Sequence, residues 1–320
     1  MIRIGIVGIG YLGRIHLGLL QSLHTHFIVV GIHDRLQVSI SENTETKLDQ
    51  ANVNPKFFAD YAQLLAEVEA VAIIASTTAH FHLAKEALLA GKAVFIEKPM
   101  CATLAEAQEL HDLALQQQSF VQVGHVERFN PVLSAASSYL TSHKLLAFES
   151  ARTAPFQQRG ADVSVVLDLL IHDLDLLLAH VSSKVVAIEV FARSEQSLFS
   201  DEVQVSLTFE SGVKAKLFAS RISGQKQRTL RLQTTEHYIS LDLLEQTASV
   251  QPISSSGTEP LEVVPSNALQ TQWLDFSSAY HADHAPRVGV EAGLRALELA
   301  FEIDARAQAQ IGQNTKYLKQ

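Results

Sequence analysis

The stretch RIGIVGIGYLG, Arg3 to Gly13, decides the fold of this chain. An apolar run ends in three glycines spaced G-x-G-x-x-G, and a helical pattern of leucines and isoleucines follows directly. In such a unit Gly8 permits the tight turn, Gly10 lets the backbone approach a pyrophosphate, and Gly13 lets the helix pack close to the strand. The N-terminus of the helix offers unpaired N–H groups and a partial positive charge to the anion. The predicted phosphate contacts are Gly8, Gly10, Tyr11, Leu12 and Gly13.

A second apolar run, Phe27 to Ile32, leads into Asp34, 21 residues after Gly13. An acidic side chain at this position can accept hydrogen bonds from the ribose hydroxyls of a dinucleotide and would repel a 2′-phosphate. The pattern therefore favours NAD over NADP as the cofactor. Arg35 keeps NADP open, because its guanidinium could pair with a phosphate or lie over the adenine. A plain β-turn-α unit with a surface aspartate would give the same pattern.

The composition is that of an ordinary globular protein of 320 residues, long enough for two domains, with 47% hydrophobic and 18% charged residues. A net charge of −9 argues against a nucleic-acid partner, which needs a basic face. The chain has no apolar run that could span a membrane and no signal-peptide pattern, so we expect no membrane association and a cytoplasmic location. The single Cys101 excludes an intrachain disulfide and a cysteine-based metal site, and no metal is predicted.

The chain divides into two regions with different patterns of apolar residues. In residues 1–123, short continuous apolar runs alternate with helical patterns, which predicts a doubly wound parallel sheet covered on both faces, a Rossmann domain. Residues 124–320 contain long alternating stretches, which predict an α+β domain with a mostly antiparallel, open sheet for substrate binding and oligomerisation. A helix over 289–308 is expected to pack back towards the first domain. The predicted fold class is α/β.

Several motifs in a fixed order resemble the glucose–fructose oxidoreductase/inositol dehydrogenase (Gfo/Idh/MocA) family. They are GIGYLG, Thr77-Thr78 with His82, AGKAVFIEKP at 90–99, and the helix carrying Asp168, His172 and Asp175. More narrowly, VGHVERFNP at 123–131 and VLDLLIHDLDLLL at 166–178 are similar to the branch that oxidises the 3-hydroxyl of UDP-N-acetylglucosamine. The chain departs from many relatives at Thr78, where they carry proline, and at Leu170, where they carry glycine.

The predicted helix Val163–His180 is apolar around most of its circumference, which is typical of a buried helix. At 100° per residue, Asp168, His172 and Asp175 fall within about 60° of one another. Such a polar stripe must face a polar cavity or be paired, because an unpaired buried charge is costly. Asp168 can orient His172 and raise its basicity. A satisfied structural pair, or a metal site, would use the same two residue types.

The resemblance implies that Lys98 and His172 lie about the reacting carbon, with Asp168 in support. Lys98 follows the strand Ala93–Ile96, and since parallel strands end at one edge of a sheet, we expect it beside the nicotinamide. A surface lysine before a proline turn is the alternative. The further predicted cofactor contacts at this edge are Ser76, Thr77, Glu97 and Lys98, with His82, on a predicted helix Phe81–Gly91, either near the nicotinamide or structural.

The predicted substrate contacts are Lys98, Arg128, Asn130, Asp168 and His172. Arg128 could bind a diphosphate through two parallel N–H donors, or pair with Glu127 and its neighbours to position the loop. Asn130 has the same two alternatives, a sugar contact or a structural role. Arg152, Arg159 and Lys216 are further candidates that the sequence does not rank.

These features predict an NAD-dependent oxidoreductase acting on a CH–OH group, most similar to enzymes that oxidise the 3-hydroxyl of UDP-N-acetylglucosamine. An inositol or other polyol dehydrogenase and a non-catalytic NAD-binding regulator are the alternatives. Alternation within Val203–Ala219 leaves an apolar row on one sheet face, namely Val203, Val205, Leu207 and Phe209. Since one face can pack on a helix while the other meets a second subunit, we expect a homodimer or homotetramer through this sheet.

Overall fold

The computed structural model describes residues 1–35, 55–158, 160 and 163–317, with side chains to residue 312. Its fourteen described strands are β1 (Ile2–Val7), β2 (Phe27–His33), β3 (Lys56–Phe57), β4 (Ala70–Ile73), β5 (Ala93–Ile96), β6 (Val121–Val123), β7 (Leu145–Thr153), β8 (Val185–Arg193), β9 (Glu202–Phe209), β10 (Lys214–Ser220), β11 (Gln227–Thr234), β12 (His237–Asp242), β13 (Thr247–Pro252) and β14 (Glu259–Leu261). The described α-helices are α1 (Tyr11–Ser22), α2 (Tyr61–Glu67), α3 (Thr77–Leu89), α4 (Leu104–Gln116), α5 (Pro131–Ser142), α6 (Ile171–His180), α7 (Ala268–His281) and α8 (Val290–Tyr317).

The chain forms two compact units. The first comprises Met1–His125 together with Leu269–Leu294, and the second comprises Val126–Ala268 together with Arg295–Gln320. Among the described residues, none of the helices combines the length and the apolar character needed to cross a membrane.

The first unit is built on a six-stranded parallel sheet with the strand order β3-β2-β1-β4-β5-β6. Every residue of β4 and β5 is buried, as expected for strands covered by helices on both faces. The order steps outward from β1 in both directions, so the change of direction falls beside the glycine turn that follows this strand. The predicted doubly wound parallel sheet is confirmed.

The segment 269–294 completes the core of the first unit. Trp273 and Phe276 of α7 are fully buried in the same cluster as Phe27 and Phe95 from the sheet. The rings of Trp273 and Phe95 lie 4.4 Å apart between centroids, a close offset contact that adds to the burial of large aromatic surface. The sequence pattern does not indicate that α7 belongs to the first unit, because most of the second unit lies between α7 and these strands in the sequence.

Helix α3 begins earlier than predicted, at Thr77 rather than Phe81. Ser76 adopts an extended backbone and acts as the N-cap, so the helix starts directly behind the turn that follows β4. At the other end Gly91 has φ +69°, in the left-handed region that glycine tolerates, and the helix ends before it as the pattern predicts.

The second unit contains an eight-stranded sheet with the order β14-β13-β12-β11-β7-β10-β9-β8. All neighbours are antiparallel except β7 and β10, which run parallel, so the predicted mostly antiparallel sheet is confirmed. The apolar row of β9 is buried within the chain itself; its members are Val203, Val205, Leu207 and Phe209. Helices α5 and α6 pack on this sheet. The row therefore lies on the sheet face that is covered within the chain, and the expected oligomer stays a prediction.

The predicted helix Val163–His180 is wrong at its beginning. Residues Val166–Leu170 form one π-helical turn, and α6 then runs as a regular helix from Ile171. Ile171 donates its backbone N–H to the carbonyl of Val166, five residues back. A π turn holds more residues per revolution than an α-helix, so the 100° spacing does not relate Asp168 to His172. Such turns are frequent at functional sites.

Candidate active site

The glycine turn after β1 has the geometry of an anion cradle. Gly8 has φ +90°, and a Cβ there would lie 2.6 Å from the carbonyl oxygen of Ile74, so only glycine fits. A Cβ on Gly13 would lie 2.1 Å from the carbonyl oxygen of Gly8, which explains the close helix–strand packing. Beside Gly10 there is open space for 4 Å. Gly10 is the N-cap of α1 and no side chain caps this helix, so its first N–H groups face that space.

Asp34 braces the same turn. One of its carboxylate oxygens accepts a hydrogen bond from the backbone N–H of Ile9 at 2.8 Å. The carboxylate is thereby held at the end of β2 beside the glycine turn, which is the position from which an acidic residue reaches an adenosine ribose. Arg35 follows in a turn and is exposed, as is Tyr11, while Leu12 is half-buried.

Lys98 and Glu97 follow β5, next to a buried chain of polar contacts that runs from Trp273 through His16 to Glu97. The indole N–H of Trp273 donates to Nδ1 of His16 at 3.0 Å, which leaves the proton of a neutral imidazole on Nε2. That nitrogen lies 3.2 Å from Oε1 of Glu97, and the other oxygen of Glu97 accepts the backbone N–H of Lys98 at 3.0 Å. The backbone of the half-buried Lys98 is therefore held by Glu97, and Glu97 in turn lies against His16, which Trp273 contacts.

Gly124 and His80 tighten the same edge of the sheet. A Cβ on Gly124 would lie 2.8 Å from the carboxylate of Glu97, so this position has no room for a side chain. The ring nitrogens of the buried His80 lie 3.0 Å from the carbonyl oxygen of Pro99 and 3.1 Å from that of Ala75. His80 thus joins the loops that follow β4 and β5.

The remaining predicted cofactor residues lie on α3 and the turn before it. Ser76 is exposed and its hydroxyl lies 3.4 Å from that of Thr78, whereas Thr77 is half-buried. His82 is exposed in the second turn of the helix, with its ring edge-on to Phe81. No described contact gives His82 a structural bond, and its role stays a prediction.

In the second unit, Asp168 lies in the π turn and His172 in the first turn of α6, both half-buried. A loop approaches Asp168 closely, because a Cβ on Gly160 would lie 3.1 Å from its Oδ2. Arg221 anchors this loop by donating to the carbonyls of Gly160 and Val163 at 2.6 and 2.7 Å. The π turn and the anchored loop therefore set the surroundings of the carboxylate.

Asp175, the third member of the predicted stripe, is 2% exposed and lies 3.1 Å from Nε of Arg128. Burial raises the pKa of Asp175 to about 7, and the neighbouring guanidinium opposes this shift. Asp175 is thus buried beside Arg128, so the stripe divides into a half-buried pair, Asp168 and His172, and a buried carboxyl.

Glu127, Arg152 and Asp173 form a buried ion cluster beneath α6. Arg152 donates to Oδ1 of Asp173 at 2.7 and 3.0 Å and to Oε1 of Glu127 at 2.8 Å, and all three side chains are nearly inaccessible to solvent. Burial disfavours the charged form of Glu127, yet Arg152 and Arg228 outweigh it and lower its pKa. The cluster ties β7 and the turn after β6 to the helix that carries His172.

This cluster bears on two of the substrate candidates. Arg152 pairs with both Glu127 and Asp173 inside the cluster. Asn130 is buried, caps α5 by accepting the N–H of Val132 at 3.3 Å, and donates to Glu127 and to the carbonyl of Leu243. Its contacts match the structural alternative. Lys216 is exposed on the open face of the sheet, and Arg159 lies outside the described residues.

Comparisons with known proteins identify the family. Residues 2–125 match the model of the oxidoreductase family with an NAD-binding Rossmann fold, and residues 140–240 match the GFO/IDH/MocA C-terminal domain. Together the matches span more than half of the chain. The chain belongs to the GFO/IDH/MocA oxidoreductase family. The expected family and the expected cofactor, NAD, are thereby confirmed.

Individual relatives differ in how much of the chain they resemble. A UDP-N-acetylglucosamine 3-dehydrogenase from Acidithiobacillus ferrooxidans is 30% identical over 319 residues, covering 96% of this chain and 97% of the relative. One solved structure of that enzyme has a TM-score of 0.86 at 28% identity and covers 96% of this chain and 98% of its own. An inositol 2-dehydrogenase from Acidothermus cellulolyticus is 29% identical over 188 residues, covering 55% of this chain and 52% of the relative.

The first unit of this GFO/IDH/MocA protein fits NAD on its own geometry. The open space beside Gly10 and the uncapped start of α1 suit a pyrophosphate, and Asp34 suits the adenosine ribose. The motifs revealed the glycine turn, Asp34, Lys98 and His172. The sequence analysis missed His16, Trp273 and Gly124, because each belongs to an element distant in the chain from Glu97.

Proposed function

We propose that this GFO/IDH/MocA oxidoreductase oxidises the 3-hydroxyl of UDP-N-acetylglucosamine to the 3-keto sugar, with NAD as cofactor. The observation that carries the proposal is the extent of the similarity. The relative with that activity is similar along 96% of this chain and 97% of its own length, so both of its domains have counterparts here. In this family the second domain supplies the sheet and helix outside the cofactor fold, and differences in substrate belong there.

Oxidation of an inositol or another polyol is the second candidate. The relatives named as inositol dehydrogenases share 26–29% identity with this chain, but each match covers only 55% of it. A match of that extent is compatible with a shared cofactor domain and a different substrate. The proposed nucleotide sugar is therefore favoured over a free polyol.

Three residues are assigned to the chemistry. His172 is the proton acceptor for the sugar hydroxyl, because imidazole is the side chain best suited to take a proton near neutral pH. Asp168, which precedes it in the π turn, supports His172, and Lys98 assists the removal of the hydroxyl proton. NAD, when bound, supplies the acceptor for the hydride that leaves C3 of the sugar.

The proposed step balances in atoms and electrons. The C3–H and O–H bonds of the sugar break, and the carbon–oxygen bond becomes the double bond of a ketone. The hydroxyl proton passes to the imidazole of His172 and from there to solvent, with the ammonium of Lys98 stabilising the negative charge that develops on the oxygen. The Glu97 carboxylate holds the backbone of Lys98, and the cluster around Arg152 holds the helix that carries His172.

Arg128 is assigned to the diphosphate of the nucleotide sugar. A guanidinium carries five N–H donors in a planar fork that matches the geometry of a phosphate, and Nε of Arg128 lies 3.1 Å from Oδ2 of Asp175. The Asp175 contact would then hold the guanidinium in one orientation. Binding of a doubly charged diphosphate and pairing with Asp175 are compatible roles.

A substrate screen tests the proposal. Formation of NADH is followed by absorbance with UDP-N-acetylglucosamine, UDP-glucose, free N-acetylglucosamine and myo-inositol. We expect kcat/KM for UDP-N-acetylglucosamine to exceed that for each of the others by at least about tenfold, the discrimination that one well-placed contact of about 1.4 kcal/mol provides. Faster turnover of myo-inositol would contradict the proposed substrate.

The variant Arg128→Ala separates recognition of the diphosphate from the chemistry. We expect it to raise KM for UDP-N-acetylglucosamine while a substrate without phosphate is affected much less. Arg193→Ala is a matched control, because Arg193 is a half-exposed arginine that pairs with Glu195 and Glu202 at the end of β8. An unchanged KM in Arg128→Ala would remove this residue from the substrate contacts.

The open face of the second sheet is proposed as the surface between subunits. Phe191 and Phe218 both pair with Gln204 across β8, β9 and β10, and Phe191 is 54% exposed. An aromatic pair on an open sheet suits burial against a second copy of the chain. Light scattering is expected to give a dimer or tetramer that Phe191→Glu converts towards monomer; a monomeric parent protein at micromolar concentration would contradict the assignment.

A further inference from the structure

A cluster of two imidazoles and one carboxylate lies in the second unit, apart from every residue assigned above. One ligand atom each of His143, Glu236 and His237 lies within 4.8 Å of the others. Nδ1 of His143 is 3.7 Å from Oε1 of Glu236, too far for a hydrogen bond, and the two imidazole rings are 5.1 Å apart between centroids. The three side chains lie close together, but no hydrogen bond joins one to another.

The backbone around this cluster is rigidly defined. His143 is the C-cap of α5, Glu236 lies in the turn between β11 and β12, and His237 is the first residue of β12. Thr235 donates its N–H to the carbonyl of Lys144 at 3.0 Å, which joins the turn to the residue after His143. The hydroxyl of Thr234 accepts the N–H groups of both Glu236 and His237. The ligand-bearing residues are thus positioned by backbone bonds that do not depend on their own side chains.

His237 supplies a second, independent observation. Its Nδ1 is shielded from solvent and has no hydrogen-bond partner among the described parts of the protein. Tyr139 packs edge-on against the ring at 5.0 Å between centroids, so the imidazole is held in place by an aromatic neighbour. Burial of a ring nitrogen without a hydrogen-bond partner costs free energy unless a ligand such as a metal ion binds to that nitrogen.

The donor set indicates which ligand would do so. Two imidazoles and a carboxylate are a common zinc set, and zinc bonds of about 2.0–2.1 Å place neighbouring ligand atoms of a tetrahedron about 3.3 Å apart. The observed separations, 3.7 Å between His143 and Glu236 and at most 4.8 Å within the set, exceed this spacing by about 0.4–1.5 Å. Hard cations such as Mg²⁺ prefer oxygen ligands, so they are poorly matched to this set.

We propose that His143, Glu236 and His237 bind a divalent transition-metal ion, with zinc the best match, which ties the end of α5 to the β11–β12 turn. Three protein ligands leave the fourth position of a tetrahedral ion to water. The ion links two elements of the same unit and therefore acts on the stability of that unit. Since the metal competes with protons for the imidazoles, its binding weakens in acid.

Zinc chloride alone is the probe for the test. Isothermal titration of metal-free protein at neutral pH is expected to give one site per chain with a dissociation constant in the micromolar range or tighter, and added zinc is expected to raise the unfolding temperature. His143→Ala and His237→Ala should each weaken binding by at least about tenfold, and Glu236→Gln, which keeps the shape of an exposed side chain, should weaken it less.

His24→Ala is the matched control, because His24 is an exposed histidine outside the cluster. Circular dichroism of each variant without zinc shows whether its fold is intact. Absence of zinc binding by the parent protein, or equal affinity in the parent and in a folded His237→Ala or Glu236→Gln variant, would overturn the proposal. Neither result bears on the substrate screen, which needs no zinc.

Discussion

At the scale of single residues, His16 connects the core of the first unit to the loop that carries Lys98. It accepts from the indole of Trp273 and faces the buried carboxylate of Glu97, and it is itself inaccessible to solvent. Removing the imidazole leaves the buried indole N–H of Trp273 without its acceptor and one buried oxygen of Glu97 without its neighbour, and such losses cost about 1–3 kcal/mol for each group. His16 therefore contributes to stability and to the position of Lys98.

We predict that His16→Ala lowers the free energy of unfolding by about 3 kcal/mol, measured by urea denaturation. Trp273→Phe keeps most of the aromatic volume and removes only the N–H donor, so its loss should be smaller, about 1 kcal/mol. A free energy of unfolding of His16→Ala within about 0.5 kcal/mol of the parent would show that the contacts of His16 with Trp273 and Glu97 make no net contribution to stability.

Lys98 and His172 stand out in the sequence because each belongs to a short motif, GKAVFIEKP and IHDLD, and their roles stay predictions. The residues around Glu97 do not stand out. His16 and Gly124 come close to Glu97, and Trp273 to His16, only after the chain has folded, and Trp273 lies 257 positions beyond His16. Sequence periodicity reports which face of an element is buried, but not which buried polar groups meet.

At the scale of elements, the helix that carries His172 also carries two buried carboxyl groups, and each lies beside an arginine from outside the helix. Asp175 contacts Arg128, and Asp173 contacts Arg152. Burial raises the pKa of Asp175 from 3.8 to about 7, so between these pH values the folded state keeps a proton that the unfolded state releases. The contribution of Asp175 to stability therefore falls as pH rises from about 4 to 7.

Asp175→Asn removes this titration while preserving the size of the side chain. We predict that the variant loses less stability than the parent between pH 4 and pH 7, because asparagine has no proton to release over the interval that the Asp175 pKa defines. Urea denaturation at several pH values measures the difference. The other titrating groups are common to both proteins, so parallel pH profiles would contradict the raised pKa of Asp175.

The elements themselves differ in how far the sequence could define them. The bounds of β5 follow from a continuous apolar run, and they were predicted as observed. The π turn Val166–Leu170 could not be predicted, because its hydrophobic pattern is that of an α-helix and only the extra residue per turn distinguishes it. The short β3 and the returning helix α7 lack a strong periodic signal of their own.

At the scale of the whole molecule, the chain combines an NAD-binding parallel-sheet unit with an open-sheet unit. Fold and cofactor follow from motifs that any dinucleotide-binding unit needs, so they were predictable. The candidate substrate contacts are spread over separate elements of the second unit, and two of them, Asn130 and Arg152, make buried contacts within the protein. Substrate assignment therefore rests on similarity along the full chain and requires a direct assay.

The central claim is that Lys98 and His172 carry the proton transfer in oxidation of UDP-N-acetylglucosamine. The measurement is the initial rate of NADH formation at saturating NAD for the parent, Lys98→Met and His172→Ala, each shown to be folded. Loss of a general acid–base group typically costs 10²–10⁴-fold, so we predict a fall in kcat of at least about 100-fold in both variants. Turnover within a few-fold of the parent in either variant would contradict the account.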